Sequence, residues 1–123
     1  MAEFGYPRRL RLLTGNEFKR VFDRADLKIS DNNLLILARR SQSDHSRIGF
    51  VISKKNVRRA VNRNRVRRII RESFRLNQHN LPPYDLVILA RKGIGEIENE
   101  AIQRLISKSW NRLNKKADKA KSA

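Results

Sequence analysis

A run of basic residues with almost no acids is the feature of this sequence that most directly implies chemistry. Between Lys54 and Arg75 the chain carries ten Lys or Arg residues and one acid, Glu72. At about 100° per residue, a helix over this segment has a cationic line on one side and an apolar line opposite. The cationic line holds Ala60, Asn64, Arg67, Arg68, Arg71 and Arg75. The apolar line holds Val66, Ile69, Ile70, Ser73 and Phe74.

This division predicts a helix that packs on a core and presents guanidinium groups to a partner. A solvated charged face usually alternates sign and gains from pairs of opposite charge, whereas these charges repel one another. The planar guanidinium fork binds phosphate oxygens in bidentate fashion. Asn64 adds a group that can hydrogen-bond a base or ribose or hold a hydrated metal ion, while Arg63 falls near the apolar line. We therefore expect this face to bind nucleic acid.

Composition limits the class of partner. The chain has 123 residues, enough for one domain, and a formal net charge of +17, which favours a polyanion such as nucleic acid or an anionic membrane. No apolar run approaches the roughly 20 residues of a membrane-spanning helix. Met1 to Arg11 lacks the pattern of a signal peptide, and the absence of Cys fits a reducing compartment. We expect a cytoplasmic protein that does not bind membranes.

The sequence shows no recognisable motif with which the chain itself could catalyse a reaction. A protein nuclease needs a nucleophile or a metal-activated water. The Asp residues form no recognisable pair, and His45 and His79 have no partner at metal or triad spacing. Gly93-Ile94-Gly95 lacks the rest of a phosphate-loop motif. We therefore predict no catalytic residue and no metal site in the protein.

Hydrophobic periodicity predicts the elements that position the basic run. We expect one domain over residues 11–114, an extended tail over residues 1–10 and a disordered basic tail over residues 115–123. Thr14 or Asn16 is expected to cap a first helix. Three strands are expected at Leu34–Ala38, Arg47–Ser53 and Tyr84–Ala90, and a basic helix at about Val57–Asn77. A last helix is expected with one face formed by Ile102, Leu105, Ile106, Ser109, Trp110 and Leu113. The order indicates an α/β sandwich.

The basic run resembles the signature of the bacterial ribonuclease P protein family. That signature consists of Lys-Lys, Ala-Val, Arg-Asn-Arg, a basic pair and Arg-Glu. Here these are Lys54-Lys55, Ala60-Val61, Arg63-Asn64-Arg65, Arg67-Arg68 and Arg71-Glu72, in register. The resemblance extends from Arg11-Leu12 through Phe22, over Arg47-Ile48-Gly49, and from Asp85 to Lys92. Arg58 stands where many members have Gly.

The resemblance implies an α+β sandwich with the order αβββαβα and a left-handed crossover around the basic helix. It also implies a protein subunit of ribonuclease P, an endonuclease that removes the 5′ leader of precursor tRNA. The expected partners are the catalytic RNA and precursor tRNA, with no obligate protein partner. The RNA carries the catalytic centre and its Mg²⁺ ions, so we expect the protein to hold no cofactor.

Two groups of binding residues follow. For the catalytic RNA we expect Lys54, Arg58, Arg59, Arg63, Asn64, Arg65, Arg67, Arg68, Arg71 and Arg75. For the leader, the resemblance implies a cleft lined by Phe18, Phe22, Leu35, Leu37, Lys55 and Ala90. Aromatic rings can stack on bases while a lysine meets a phosphate. The spacing leaves Phe18 open between core packing and stacking, favours the core for Phe22 and Leu35, and gives Leu37 an apolar contact.

Two other functions fit the basic helix alone. One is a general binder of structured RNA, such as a ribosomal or chaperone-like protein without nuclease association. The other is a DNA-binding protein with the basic helix in the major groove. No helix-turn-helix spacing precedes the basic helix, which disfavours the DNA-binding hypothesis.

Overall fold

One four-stranded sheet carries helices on both of its faces. A computed structural model describes residue 11 and residues 14–122. The helices in this part of the chain are α1 (Gly15–Asp23), α2 (Ala60–Asn77) and α3 (Asn99–Ser122), with one 3-10 turn at Ile94–Glu96. The strands are β1 (Leu27–Ser30), β2 (Leu34–Arg40), β3 (Arg47–Val51) and β4 (Tyr84–Ala90). The expected tail over residues 1–10 lies outside the described residues.

The strand order is β1-β2-β4-β3, with β4 in the interior of the sheet. β2 pairs antiparallel with both β1 and β4, and β3 pairs parallel with β4. The chain between these two parallel strands contains α2, which places the basic helix over the sheet. This arrangement confirms the αβββαβα order, while the left hand of the crossover stays a prediction. The residue pattern alone missed β1, a four-residue strand with one fully buried side chain, Ile29.

The larger core lies between one sheet face and the pair α2 and α3. Alternate strand residues point into it, as expected for a period of two. The members contributed by the sheet include Ile29, Leu34, Ile36, Ala38, Ile48, Leu86, Ile88 and Ala90. α2 contributes Val66, Ile69, Ile70 and Phe74, which is the predicted apolar line without Ser73. Trp110 of α3 stacks at a tilt on Phe74, with centroids 6.2 Å apart, and donates its indole N–H to Ser73 Oγ at 2.9 Å.

The opposite sheet face is only partly covered, by the short helix α1. Val21 and Val87 form a small buried cluster there, against which Phe18, Leu37 and Leu89 pack. α1 begins with a capping box: the backbone N–H of Glu17 donates to Thr14 Oγ1, and the backbone N–H of Thr14 donates to Glu17 Oε1. Thr14 is thus the cap, one of the two expected, and it fixes where this helix starts.

Arg47 ties α1 to the sheet. Its guanidinium donates to both carboxylate oxygens of Asp85 at 2.9 and 2.8 Å, and also to Glu17 of α1. The hydrogen bond to Asp85 raises the pKa of Arg47 above its ordinary value, against the opposing effect of burial. Asp85 is only 4% exposed, so its charge depends on this partner.

Several predicted boundaries were wrong. β2 continues to Arg40 instead of ending at Ala38, and β3 ends at Val51 instead of Ser53. α2 begins at Ala60 and not at Val57, because the buried side chain of Val57 belongs to the turn that precedes the helix. α3 continues to Ser122, so residues 115–122 are helical and not disordered. Ala117 is 7% exposed in the core, and Lys116 Nζ donates to the carbonyl of Lys28 at 2.7 Å. The last helical turns thus pack along the edge strand β1.

We expect Arg47→Met to lower the free energy of unfolding by about 3 kcal/mol, because it leaves the buried Asp85 carboxylate unpaired. Glu17→Gln should cost less, about 1 kcal/mol, since the amide oxygen still caps Thr14 and the lost ion pair is half-exposed. Urea denaturation of both variants measures the difference. Equal losses would contradict the assignment of Asp85 as the dominant partner.

Candidate nucleic-acid interface

The outward side of α2 presents the predicted cationic line. Arg68 is exposed, and Arg67 Nη1 donates to Asn64 Oδ1 at 3.2 Å, which fixes the orientation of that amide. Near the C-terminal end Arg75 forms an ion pair with Glu72. The Arg75 hydrogen bond, together with the nearby charge of Arg71, lowers the pKa of Glu72. Glu72 offsets part of the charge at this end of α2.

Arg63 and Arg65 turn toward their own chain. Arg63 Nη1 donates to the carbonyls of Val57 and Arg58 at 3.0 and 2.8 Å, which holds the turn before α2. Both guanidiniums are half-buried, so they support the cationic face. Contact of these two side chains with RNA stays a prediction.

Arg65 acts as a clamp between α2 and the start of α3. Its Nη1 donates to the carbonyl of Ile97 at 3.0 Å and to Asn99 Oδ1 at 2.7 Å, and its Nη2 donates to the carbonyl of Gly95 at 2.7 Å. Gly95 is required there, because a Cβ would lie 2.9 Å from Val57 Cγ1. The sequence pattern placed Arg65 at the edge of the cationic line and gave no sign of these carbonyl partners.

A cationic rim surrounds the start of α2. Lys54, Lys55, Arg58 and Arg59 are all exposed. They lie in and after the turn that follows β3, which Asn56 fastens by donating from Nδ2 to the carbonyl of Ala90 at 2.9 Å. A cavity of about 810 Å³ opens here, and its lining includes Lys55, Arg58, Arg59, Asn62 and Lys92. Asn62 and Lys92 were not among the predicted binding residues. For Lys92 the signal was available, since it follows a strand parallel to the one before Lys55.

The uncovered part of the α1 face is apolar and open. Leu35, Leu89 and Val51 are neighbours across β2, β4 and β3 and point to one face. Phe22 on α1 is 44% exposed, and Val51 is 36% exposed. The expectation that Phe22 belongs to the core is therefore wrong, while Phe18 and Leu37 pack against the Val21–Val87 cluster. The alternation of β2 and β3 could have added Val51 to the predicted cleft.

Ala90 does not belong to this cleft. It is 5% exposed and pairs across the sheet with Leu34, on the face covered by α2 and α3. Its side chain therefore lies in the large core, and only its carbonyl reaches the rim, as the acceptor for Asn56. Every side chain of β4 except Leu89 is buried, so its apolar run has no alternation that tells one face from the other.

Within residues 11 and 14–122, no group of three or more His, Cys, Asp or Glu residues could hold a metal ion. His45 lies beside Asp44, with Nδ1 to Oδ1 at 3.2 Å, on the surface. None of the described helices is long and apolar enough to cross a bilayer. The site is thus a pair of surfaces on opposite sides of the sheet, one cationic and one apolar, joined by the cationic rim.

Comparison with known proteins decides the family. The family model for ribonuclease P matches residues 6–114. The ribonuclease P protein component of Chromohalobacter salexigens is 48% identical over 115 residues, covering 94% of this chain and 90% of that protein. That of Ectopseudomonas mendocina is 50% identical over 113 residues, covering 92% and 84%. The chain belongs to the ribonuclease P protein family.

Solved structures of the family share the fold. The ribonuclease P protein of Staphylococcus aureus matches with a TM-score of 0.75 and 25% identity, covering 88% of this chain and 94% of that one. The protein from Thermotoga maritima matches with a TM-score of 0.73 and 26% identity, covering 83% and 96%. The resemblance drawn from the basic run is confirmed. The DNA-binding hypothesis loses support, since a strand and a turn precede α2 instead of a partner helix.

Replacing an arginine that holds the fold should have a different effect from replacing one that faces solvent. Arg65→Met removes a guanidinium with three internal acceptors, so we expect it to cost about 2 kcal/mol of unfolding free energy. Arg68→Met should leave stability within about 0.5 kcal/mol and weaken RNA binding. Urea denaturation and RNA titration of both variants test this. A stable Arg65→Met protein would contradict the clamp, and unchanged RNA affinity in Arg68→Met would contradict the cationic face.

Proposed function

We propose that the chain works as the protein subunit of ribonuclease P, which binds the catalytic RNA and the 5′ leader of precursor tRNA and assists removal of the leader. Family membership over nearly the whole described domain supports the subunit role. One observation supports separate binding of the two RNAs: the cationic face of α2 and the apolar surface beside α1 lie on opposite sides of one sheet. The catalytic centre is proposed to lie in the RNA subunit.

The cationic face of α2 is proposed to bind the catalytic RNA. Its arginines point away from the sheet, and Arg68 has no internal partner among the described residues. Guanidinium groups bind phosphates through bidentate hydrogen bonds, and each contact displaces counterions from the RNA. Asn64, held by Arg67 at 3.2 Å, can add a hydrogen bond to a base or ribose.

The apolar cleft beside α1 is proposed to bind the single-stranded leader. Phe22 exposes nearly half of its surface on the helix that covers this sheet face, and Leu35, Leu89 and Val51 form an aliphatic strip on the same face. A base can stack on such a ring and rest on aliphatic side chains. Lys55 follows β3 by four residues at the edge where this strip ends, and it can meet the leader phosphate. Stacking tolerates any base, so this surface recognises the presence of a leader more than its sequence.

The cationic side chains of the protein could also reduce the need of the catalytic RNA for Mg²⁺. Folding a large RNA brings phosphates together, and Mg²⁺ or bound protein cations relieve the repulsion. We propose that the RNA holds the Mg²⁺ ions and that the bound protein lowers the Mg²⁺ concentration that the RNA needs for activity. The partners are then the catalytic RNA and precursor tRNA, and the cytoplasm stays the expected location. A general structured-RNA binder would lack preference for this holoenzyme.

Reconstitution tests the subunit role. The purified chain alone should leave precursor tRNA intact, because the catalytic centre is assigned to the RNA. Added to the catalytic RNA at a Mg²⁺ concentration too low for the RNA alone, it should restore 5′ cleavage, measured by gel analysis of end-labelled substrate. Cleavage by RNA-free protein would contradict the assignment of catalysis to the RNA. Equal affinity for unrelated structured RNA would favour the general binder.

Phe22→Ala tests the leader cleft. Because nearly half of Phe22 is exposed, we expect only a modest loss of stability but a weaker affinity of the holoenzyme for precursor tRNA, by about tenfold for one lost stacking contact. Affinity for mature tRNA, which has no leader, should not change. Val21→Ala is the matched control on the same helix: it should lower stability without leader preference. If Phe22→Ala weakened both RNAs equally, the cleft would not be the leader site.

A further inference from the structure

A second line of cations runs along the outer side of α3, where neither proposed surface reaches. Arg104, Lys108, Lys115 and Lys119 follow one another at spacings of four, seven and four residues, with Asn111 between them. These spacings place all five on one side of the helix. All five are exposed, and none of the four cations has an internal partner among the described residues. We call this set the α3 cationic line.

The α3 cationic line lies opposite the side of α3 that is buried. Ile102, Ile106, Leu113 and Ala117 point into the core beneath the helix. At 1.5 Å per residue, the line from Arg104 to Lys119 is roughly 22 Å long. Its last part exists only because α3 continues to Ser122. The acids Glu100 and Asp118 lie beside the line near its two ends, so its middle carries charge of one sign.

The α3 cationic line and the cationic face of α2 are on the same side of the molecule. Both helices cover the same sheet face and pack on each other through Trp110, Phe74 and Ser73, so both outer sides point away from the sheet. A groove of about 540 Å³ lies between them, and its lining includes Arg68 and Asn77 from α2 and Asn99, Gln103 and Ser107 from α3. The groove thus presents amide and hydroxyl side chains between the two cationic surfaces, together with the apolar Ile69 and Leu76 and with Glu72, which pairs with Arg75.

We propose that the α3 cationic line binds the phosphate backbone of a helical segment of the catalytic RNA, next to the segment bound by α2. This inference rests on the proposed function. An RNA helix displays 2′-hydroxyls between its two phosphate strands, and amide and hydroxyl side chains between two rows of cations complement that arrangement. A membrane surface fits poorly, because the apolar side of α3 is buried and cannot enter lipid.

The salt dependence of binding to the catalytic RNA tests the proposal with the full chain. Lys108→Gln/Lys115→Gln removes two charges from the line, and Lys28→Gln/Arg40→Gln removes two exposed charges from the β1–β2 edge of the sheet. The α3 pair should reduce the slope of log affinity against log salt by roughly 1.4 to 1.8, and weaken binding about tenfold. The sheet-edge pair should change the slope little, and both should keep the wild-type melting temperature.

The outcomes separate this inference from the proposed function. If the wild-type chain does not bind and activate the catalytic RNA, the proposed function fails. If it does but the α3 pair keeps the wild-type slope, or both pairs lower it equally, the α3 contact fails alone. Loss of affinity for precursor tRNA without loss for the catalytic RNA would also overturn the assignment, since the line would then bind the substrate.

A tethered cleavage experiment locates the contact directly. The chain has no cysteine, so a single Ser107→Cys substitution can carry an iron chelate that cuts nearby RNA. We expect cuts in a helical segment of the catalytic RNA. Gln42→Cys, in the exposed β2–β3 loop, is the control and should not cut that segment. Cuts only in precursor tRNA, or none in either RNA, would overturn the proposal.

Discussion

Burial of the apolar line of α2 is the interaction on which the other features depend. Four buried side chains, Val66, Ile69, Ile70 and Phe74, anchor a helix whose cations repel one another. Each is worth roughly 1.5–3 kcal/mol when fully buried, whereas a like-charge pair at helical spacing costs only about 0.2–0.5 kcal/mol. Burial therefore outweighs repulsion, and the sheet can hold a dense row of arginines toward solvent without any RNA present.

Arginine has three different tasks in this chain, distinguished by what each guanidinium contacts. Arg47 neutralises the buried Asp85 and also donates to Glu17, which ties α1 to the sheet. Arg65 holds carbonyls at the start of α3, and Arg63 holds those before α2. Arg68 is left to the solvent side. Residue type alone does not separate these tasks, because the same fork serves a carbonyl, a carboxylate or a phosphate.

Sequence periodicity predicted the elements whose two sides differ. The cap at Thr14, the two sides of α2 and the α+β order follow from residue spacing or from the basic signature. Periodicity fails for a strand whose two faces carry the same kind of residue. The core of β4 is a continuous apolar run, so its pattern could not place Ala90 on the core face. Short β1 offers too few residues for a period. The end of α3 resembles a polar tail in sequence because, of residues 115–120, only Ala117 is buried. The donors that fasten α3 to β1 are the side chains of Arg112 and Lys116.

We propose that the two sides of the sheet hold different RNAs and act independently. A double-mutant cycle with Arg68→Met and Phe22→Ala, read out as the affinity of the reconstituted holoenzyme for precursor tRNA, tests it most directly. Because the two side chains lie on opposite sides of the sheet and share no contact, the account predicts that their free-energy losses add to within about 0.5 kcal/mol. A coupling energy above about 1 kcal/mol would contradict it, since it would mean that both side chains act on one shared binding surface.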